Sequence, residues 1–220
     1  MRWRTAIRLV ALASAFTLAT VAPSTAGPFT RSPLKVVSVS RPFAGCDISG
    51  QPGVNFLNSE VEPWVEVNPT DPDNIIAVWQ QDRWSNGGAR GLLTAVSHDG
   101  GVSWNTTFPH FSTCAGGTPA NGGNYERASD PWVSFSPNGD AYQISLSVNM
   151  VNDPATAILV SKSTDGGDSW SEPTTLARDP SGVAPFLFND KESITADPND
   201  SRYVYAIWDR TRFPSDRANF

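Results

Sequence analysis

Acidic and basic side chains recur at fixed spacings along this 220-residue chain, and its chemistry has to be sought among them. Glu62, Asp130 and the pair Lys191-Glu192 lie 130 − 62 = 68 and 191 − 62 = 129 residues apart. Asp82-Arg83 and Asp209-Arg210 are two further acid–base pairs, and Arg127 stands just before Asp130. An ionised carboxylate accepts hydrogen bonds from ligand hydroxyls, and a protonated one can give its proton to a leaving oxygen. An arginine fork grips a carboxylate through two parallel hydrogen bonds. Such a set suits a polar, hydroxyl-rich ligand; it equally suits a solvated rim of ordinary ion pairs.

Other chemistries lack their residues. There is no nucleophile elbow, P-loop, HExxH or dinucleotide fingerprint. No CxxC occurs, and His98 and His110 lack ligand spacing, so neither a metal nor a cofactor is implied. The net charge of −6, with no basic stripe, argues against a nucleic-acid partner and against adhesion to anionic lipid. Cys46 and Cys114 are the two cysteines. Outside the cytoplasm they are expected to pair, closing a loop of 114 − 46 = 68 residues and stabilising the fold by about 4 kcal/mol on the chain-entropy model.

The elements that position these groups are read from two copies of one turn. Ser97-His98-Asp99-Gly100-Gly101-Val102-Ser103-Trp104 and Ser163-Thr164-Asp165-Gly166-Gly167-Asp168-Ser169-Trp170 both fit S-x-D-G-G-x-x-W, 165 − 99 = 66 residues apart. A short Asp side chain holds the backbone N–H groups of a turn, and paired glycines supply positive φ. The Trp opens the return strand and buries its ring between neighbouring sheets. Upstream, Pro63 to Pro69 (PWVEVNP) matches Pro131 to Pro137 (PWVSFSP) at an offset of 68. Asn68-Pro69 and Ile75 to Trp79 match Asp197-Pro198 and Val204 to Trp208 at an offset of 129. Each full repeat therefore reads as four strands: Trp64 to Val67, Ile75 to Gln80, Leu92 to Ser97 and Ser103 to Phe108 in the first. Lys35 to Ser40 is a further β-prone run, and no helix longer than a turn or two is expected after the leader.

The fold expected is all-β, a partial β-propeller of about two and a half four-stranded blades. The antiparallel order puts Glu62, Asp130 and Lys191-Glu192 at the starts of the innermost strands, on one face. Asp82-Arg83, Asp209-Arg210 and the links 109–127 and 179–190 lie on the same face, both turns on the opposite one. The Gly-rich link Ala115 to Asn124 reads as a spacer, with a mobile lid as the alternative.

The repeated turn resembles the Asp box of the sialidase (BNR-repeat) family. That resemblance implies a six-bladed propeller and hydrolysis of terminal sialic acids, with an arginine cluster for the sugar carboxylate, an aspartic acid as proton donor and a Tyr–Glu nucleophile. Arg83 matches a family arginine, and Asp82 is the candidate acid. The family's R-I-P motif is here Val61-Glu62-Pro63, and Tyr125-Glu126 lies in the wrong blade to be the nucleophilic pair. The structural residues of the boxes are then Ser97, Asp99, Gly101 and Trp104, and Ser163, Asp165, Gly167 and Trp170. Arg83, Glu62, Arg127, Asp130, Glu192, Asp209 and Arg210 are the expected ligand-binding set, for a glycan or glycoprotein. Two functions stay open: a non-catalytic binder of glycan or protein, and a sialidase-like glycoside hydrolase with an altered pocket.

The remaining expectations concern organisation. Met1 to Arg8 is basic, Leu9 to Ala22 apolar or small, and Ser24-Thr25-Ala26 offers a cleavage site. Residues 1–26 thus read as a signal peptide, giving a secreted protein without membrane insertion. Residues 27–58 form an N-terminal segment and 59–220 an incomplete propeller, with blades 59–111, 125–177 and 188–220. A third box would fall at about residues 226–233, past Phe220. The sequence accordingly reads as a fragment, the alternative being a short protein that completes its ring by oligomerising.

Overall fold

The computed structural model describes residues 31–46, 49–181 and 186–213. The expected signal peptide, residues 1–26, lies outside them. The chain divides into Met1–Leu34 and Lys35–Phe220, and every described strand lies in the second unit. It is all-β, with ten strands among the described residues and one 3-10 turn, Thr113–Ala115. The strands are β1 (Glu60–Val67), β2 (Ile75–Arg83), β3 (Ala89–Ser97), β4 (Asn105–Thr107), β5 (Arg127–Phe135), β6 (Ala141–Asn149), β7 (Ala155–Ser163), β8 (Thr174–Pro180), β9 (Phe186–Ala196) and β10 (Val204–Phe213). No described helix is long and apolar enough to cross a membrane.

Strands β1 to β4 form one antiparallel meander and β5 to β8 a second, linked by a single bridge, Ala89↔Ala128. Strands β9 and β10 pair as a separate hairpin, and the larger sheet is not closed. The expected strands are present; β1 to β3 are longer at the ends remote from the Asp-Gly-Gly turns, β1 beginning at Glu60 and β2 running on to Arg83, whereas the fourth, expected over Ser103 to Phe108, is only Asn105–Thr107. Lys35 to Ser40 makes no strand, and Val36 stands exposed. Its β-branched residues pair with no strand, and β-propensity is realised only beside a pleated neighbour.

The core lies between the sheets. Ile76, Val78 and Val96 of the first meander pack on Val133, Phe135 and Ala141 of the second, with Trp64 and Trp170 against them. Ile144, Leu146 and Ile158 of the second pack on Ile194, with Val204 and Ala206 of the hairpin. On the other side of the first meander, Phe43 packs with Trp79, Leu93 and Ala95. A disulfide joins Cys46 and Cys114, Cα atoms 5.3 Å apart, and ties the N-terminal segment to the link after β4. The link is tightly folded: a Cβ on Gly123 would lie 1.8 Å from the His110 carbonyl oxygen.

Both Asp-Gly-Gly turns are built alike. In the first, Ser97 Oγ donates to Asp99 (2.8 Å) and accepts from Gly101 N (2.9 Å), while Asp99 accepts from Ser103 N (2.8 Å) and Ser103 Oγ (2.6 Å). In the second, Ser163, Asp165, Gly167 and Ser169 repeat every one of these bonds. The four glycines have positive φ, from 69° to 103°. A Cβ at Gly167 would approach Ile76 to 2.8 Å, so this turn lies directly on the first meander. Trp170 Nε1 donates to Thr107 Oγ1 (3.2 Å), whose hydroxyl in turn donates to Gly167 O (2.8 Å).

Candidate functional site

At the opposite end of the meanders the first strand of each unit carries the same fault. Pairing slips between Val61 and Trp64 in β1 and between Ser129 and Trp132 in β5, and β9 slips against β10 between Ser193 and Asp190. The residues in the gaps, Glu62, Asp130 and Lys191, adopt left-handed backbone with φ of 54°, 50° and 51°. Pro63 and Pro131 explain two of the slips, since proline has no N–H to give a ladder and settles at bulges. Left-handed φ in a residue other than Gly or Asn costs of order 1–3 kcal/mol and collects at functional sites. Each bulge turns one charged side chain out of the sheet.

The three side chains meet. Lys191 Nζ donates to Asp130 Oδ2 at 2.7 Å, and Ser129 Oγ donates to Asp130 Oδ1 at 2.6 Å. Glu62 accepts from Gln80 Nε2 and shares a hydrogen bond with Asp130. Desolvation, that hydrogen bond and the Asp130 charge push the Glu62 carboxyl above the ordinary range, against the pull of Lys191 and Arg83. Burial also pushes Asp130 up, but hydrogen bonds from Lys191, Ser129 and Glu62 more than offset it and its pKa is lowered. Lys191 is raised, first by its hydrogen bond to Asp130. Two adjoining carboxyls thus have pKa values driven apart, the arrangement that separates a proton donor from an ionised partner.

Glu192 occupies the place that proline holds in the other two strands (63 + 129 = 192). It is 4% exposed, and neither carboxylate oxygen has a hydrogen-bonding side-chain or backbone partner by geometry. Desolvation first, with the charges of Asp130 and Asp190, raises its pKa well above the ordinary range. Asp190 is raised too, by burial and by Asp130. Among the described residues no group of three or more His, Cys, Asp or Glu could hold a metal ion.

The remaining expected site residues are placed differently. Asp82 is fully enclosed with φ 62°, its Oδ1 accepting from Asn58 N (2.7 Å) and Gln81 Nε2 (3.1 Å), so it presents no acid at the rim. Arg83 is half-buried and donates to Gly88 O at 2.9 Å. Arg127 is 1% exposed. Its guanidinium donates to Gln51 (3.2 Å), Asn86 (2.9 Å), Gly87 O (2.7 Å) and Pro52 O (2.7 Å) and lies over the Trp84 ring. Desolvation lowers its pKa to about 10. Arg210 grips Asp179 in a two-pronged pair, Nε–Oδ2 2.8 Å. Asp209 is exposed beside Asp190. Glu126 caps a loop, accepting from the backbone N–H of Met150, Val151 and Asn152. Asp190 and the Arg210 partner Asp179 were placed on this face only as the ends of the link 179–190 and given no site role, because neither falls at a repeat offset that marks it. The net outcome is an acidic face whose arginines are engaged within the fold.

No protein-family model and no curated protein sequence matches the chain. Among solved structures, the Hadza microbial sialidase Hz136 is similar over 62% of this chain at 17% identity, with a TM-score of 0.43. The chain spans about a third of that structure's length, the matched part being 30% of it.

Proposed function

We propose that this chain is an exported, sialidase-like Asp-box protein of propeller type that binds a neutral, hydroxyl-rich carbohydrate through the face carrying the three bulges. The proposed blades are those read from the sequence, 59–111, 125–177 and 188–220, with β8 and β9 running past the inner bounds to Pro180 and from Phe186. The observation that carries the proposal is the meeting of Glu62, Asp130 and Lys191, one from each successive unit, at equivalent strained positions. Carboxylates held at the mouth of a stack of sheets are acceptors for sugar hydroxyls. The disulfide supports an oxidising compartment. A sialic acid carboxylate has little to hold it there: Arg127 and Arg210 are engaged in the fold, and Glu62, Asp130 and Asp190 would repel it.

A glycan array with the purified protein tests this. Binding to neutral glycans that Asp130→Asn and Glu62→Gln weaken at least tenfold supports the proposal; binding only to sialylated glycans, or to none, removes it. The divergent pKa values of Glu62 and Asp130 favour a second reading, hydrolysis of a glycosidic bond with Glu62 as proton donor and Asp130 as its ionised partner. Turnover of a fluorogenic glycoside between pH 4 and 8, abolished by Glu62→Gln, would establish it. A panel of neutral and sialylated substrates without turnover leaves binding alone.

A further inference from the structure

The chain contains three Asn-Gly pairs, Asn86-Gly87, Asn121-Gly122 and Asn138-Gly139, each in a turn. In such a pair the glycine's backbone nitrogen can attack the asparagine side-chain amide, because no Cβ stands in its way. The N–Cγ bond forms and the Cγ–Nδ2 bond breaks. Nδ2 leaves as ammonia, taking the glycine's amide proton. Water then opens the cyclic imide to an aspartyl or isoaspartyl residue. The three pairs are chemically identical, so their surroundings decide which of them reacts.

At Asn86 a cation is fixed on the reacting amide. Arg127 Nη1 donates both to Asn86 Oδ1 (2.9 Å) and to Gly87 O (2.7 Å), so one nitrogen clamps the amide and the residue that attacks it. Attack at Cγ moves charge onto Oδ1, where a charge-assisted donor already stands. The oxygen is sheltered as well: a Cβ on Gly53 would lie 2.4 Å from Asn86 Oδ1, and the Arg127 side chain is buried against the Trp84 ring. Exclusion of water strengthens the pull of the guanidinium. Asn86 Nδ2, the group that leaves, bonds to nothing among the described residues. The Gly87 N–H makes only a long bond, 3.3 Å, to Trp84 O.

The other two pairs are held shut. Gly122 N donates to Thr118 O at 3.0 Å, and Asn121 Nδ2 donates to Gly116 O at 3.1 Å. Gly139 N donates to Ser136 O at 2.9 Å, and Asn138 Nδ2 donates to Asp140 Oδ2 at 2.9 Å. In both, the attacking and the leaving nitrogen are occupied. Their amide oxygens accept only from backbone N–H groups, Asn121 from Thr118 and Gly123, Asn138 from Asp140. The Asp140 carboxylate beside Asn138 further opposes negative charge on that amide.

Arg127 itself gains from the reaction. Its acceptors Gln51 Oε1, Pro52 O, Gly87 O and Asn86 Oδ1 are all neutral, and a buried charge is best met by an opposite one. We infer that Asn86 is a self-modifying site: Arg127 drives its conversion to a carboxylate, and that carboxylate becomes the ionic partner of Arg127. The change is one-way, because ammonia is lost to solvent. Its product ties the β2–β3 turn more firmly to the start of β5. The site shares no residue with the Glu62, Asp130 and Lys191 cluster, so it stands whether or not that cluster binds a glycan.

Peptide mapping by mass spectrometry, during incubation of the folded protein at pH 8, tests this. Trypsin releases Asn86 in the peptide Trp84 to Arg90, where the mass gain of amide-to-acid conversion is read directly. Asn86 should convert at least tenfold faster than Asn121 and Asn138 in the same sample. It should also convert at least threefold faster than in a synthetic peptide of residues 84–90. Arg127→Met should bring its rate down to that of the peptide. If that variant folds poorly, wild type in urea repeats the design: withdrawing Arg127 should slow Asn86 to the peptide rate, while Asn121 and Asn138 speed up to it. Asn86→Asp, which installs the aspartyl product, should melt above wild type at pH 7. Conversion of Asn86 no faster than in the peptide or at the other two pairs, or a rate unchanged when Arg127 is removed or withdrawn, would overturn the role of Arg127 in driving the reaction. An Asn86→Asp variant that melts below wild type would overturn the ionic partnership.

Discussion

Each meander has two ends, and they treat equivalent positions in opposite ways. At the Asp-Gly-Gly end the side chains are kept as well as the backbone: Ser97 and Ser163, Asp99 and Asp165, Ser103 and Ser169 make the same bonds. At the bulge end only the backbone is kept. Left-handed φ persists near 50°, while its side chain changes from Glu62 to Asp130 to Lys191. A turn that must close a hairpin needs one chemistry, because its bonds are to its own backbone. A rim that must meet something outside the chain needs different groups at equivalent points. The first end is scaffold, and the second is where the proposed ligand would be met.

The scaffold end should give the largest losses. Trp170 packs into the contact between the two meanders and bonds to Thr107, whereas the equivalent Trp104 packs toward the N-terminal segment and bonds to its own turn at Gly101 O (3.1 Å). Trp170→Ala should cost about 3–5 kcal/mol and Trp104→Ala about 2 kcal/mol by chemical denaturation, because only the first ring is lost from the contact between the two meanders. Equal losses would break the comparison, because Trp170 would then be serving its own hairpin rather than the junction.

The two ends should also titrate with opposite signs. Glu192 has a folded pKa above its unfolded value, so within that window the folded state holds a proton that the unfolded chain releases. Stability from this group is present at low pH and is lost as pH rises through the ordinary carboxylate value toward the raised one. Glu192→Gln should therefore stabilise the protein by about 1–2 kcal/mol at pH 7 and make no difference near pH 3. Asp99, held at about 2 by its hydrogen bonds from Ser103 and Ser97, behaves the other way. Its contribution is present above the ordinary aspartate value and fades as pH falls toward 2. Thermal melts from pH 2 to 8 should show Glu192→Gln flattening only the upper limb. A uniform shift at all pH values would mean that the Glu192 effect is one of packing.

The turns and the repeat were legible because they are local. Asp-Gly-Gly chemistry closes a hairpin within a few residues, and the offsets of 68 and 129 carry straight into the register of the strand pairs. The 66-residue spacing of the boxes differs from 68 because the loop from Asn68 to Asn74 is two residues longer than that from Ser136 to Asp140. What stayed hidden depends on partners far along the chain. Nothing local tells that Arg127 will be enclosed by Gln51, Pro52 and Asn86, or that Asp82 will face Asn58 rather than solvent. The convergence of Glu62, Asp130 and Lys191 was readable from their spacing, but the left-handed bulge that turns them outward was not.

The smallest expected effect is the sharpest test of the rim. Glu62 is strained, and replacing it by glycine removes a penalty of order 1–3 kcal/mol. Glycine returns roughly 0.5–1 kcal/mol of that through the extra freedom of the unfolded chain. The loss of the hydrogen bonds to Asp130 and to Gln80, whose side chain is fully buried, returns about 1–3 kcal/mol more. These terms nearly cancel, so Glu62→Gly should shift stability by less than about 1 kcal/mol while it removes glycan binding. A scaffold residue cannot behave so: the aspartates of the boxes have no strain to release, and their loss leaves backbone N–H groups without acceptors. If Glu62→Gly were strongly destabilising, the bulge would be held by its side chain, and the distinction between the two ends would fail at the position where it is drawn most clearly.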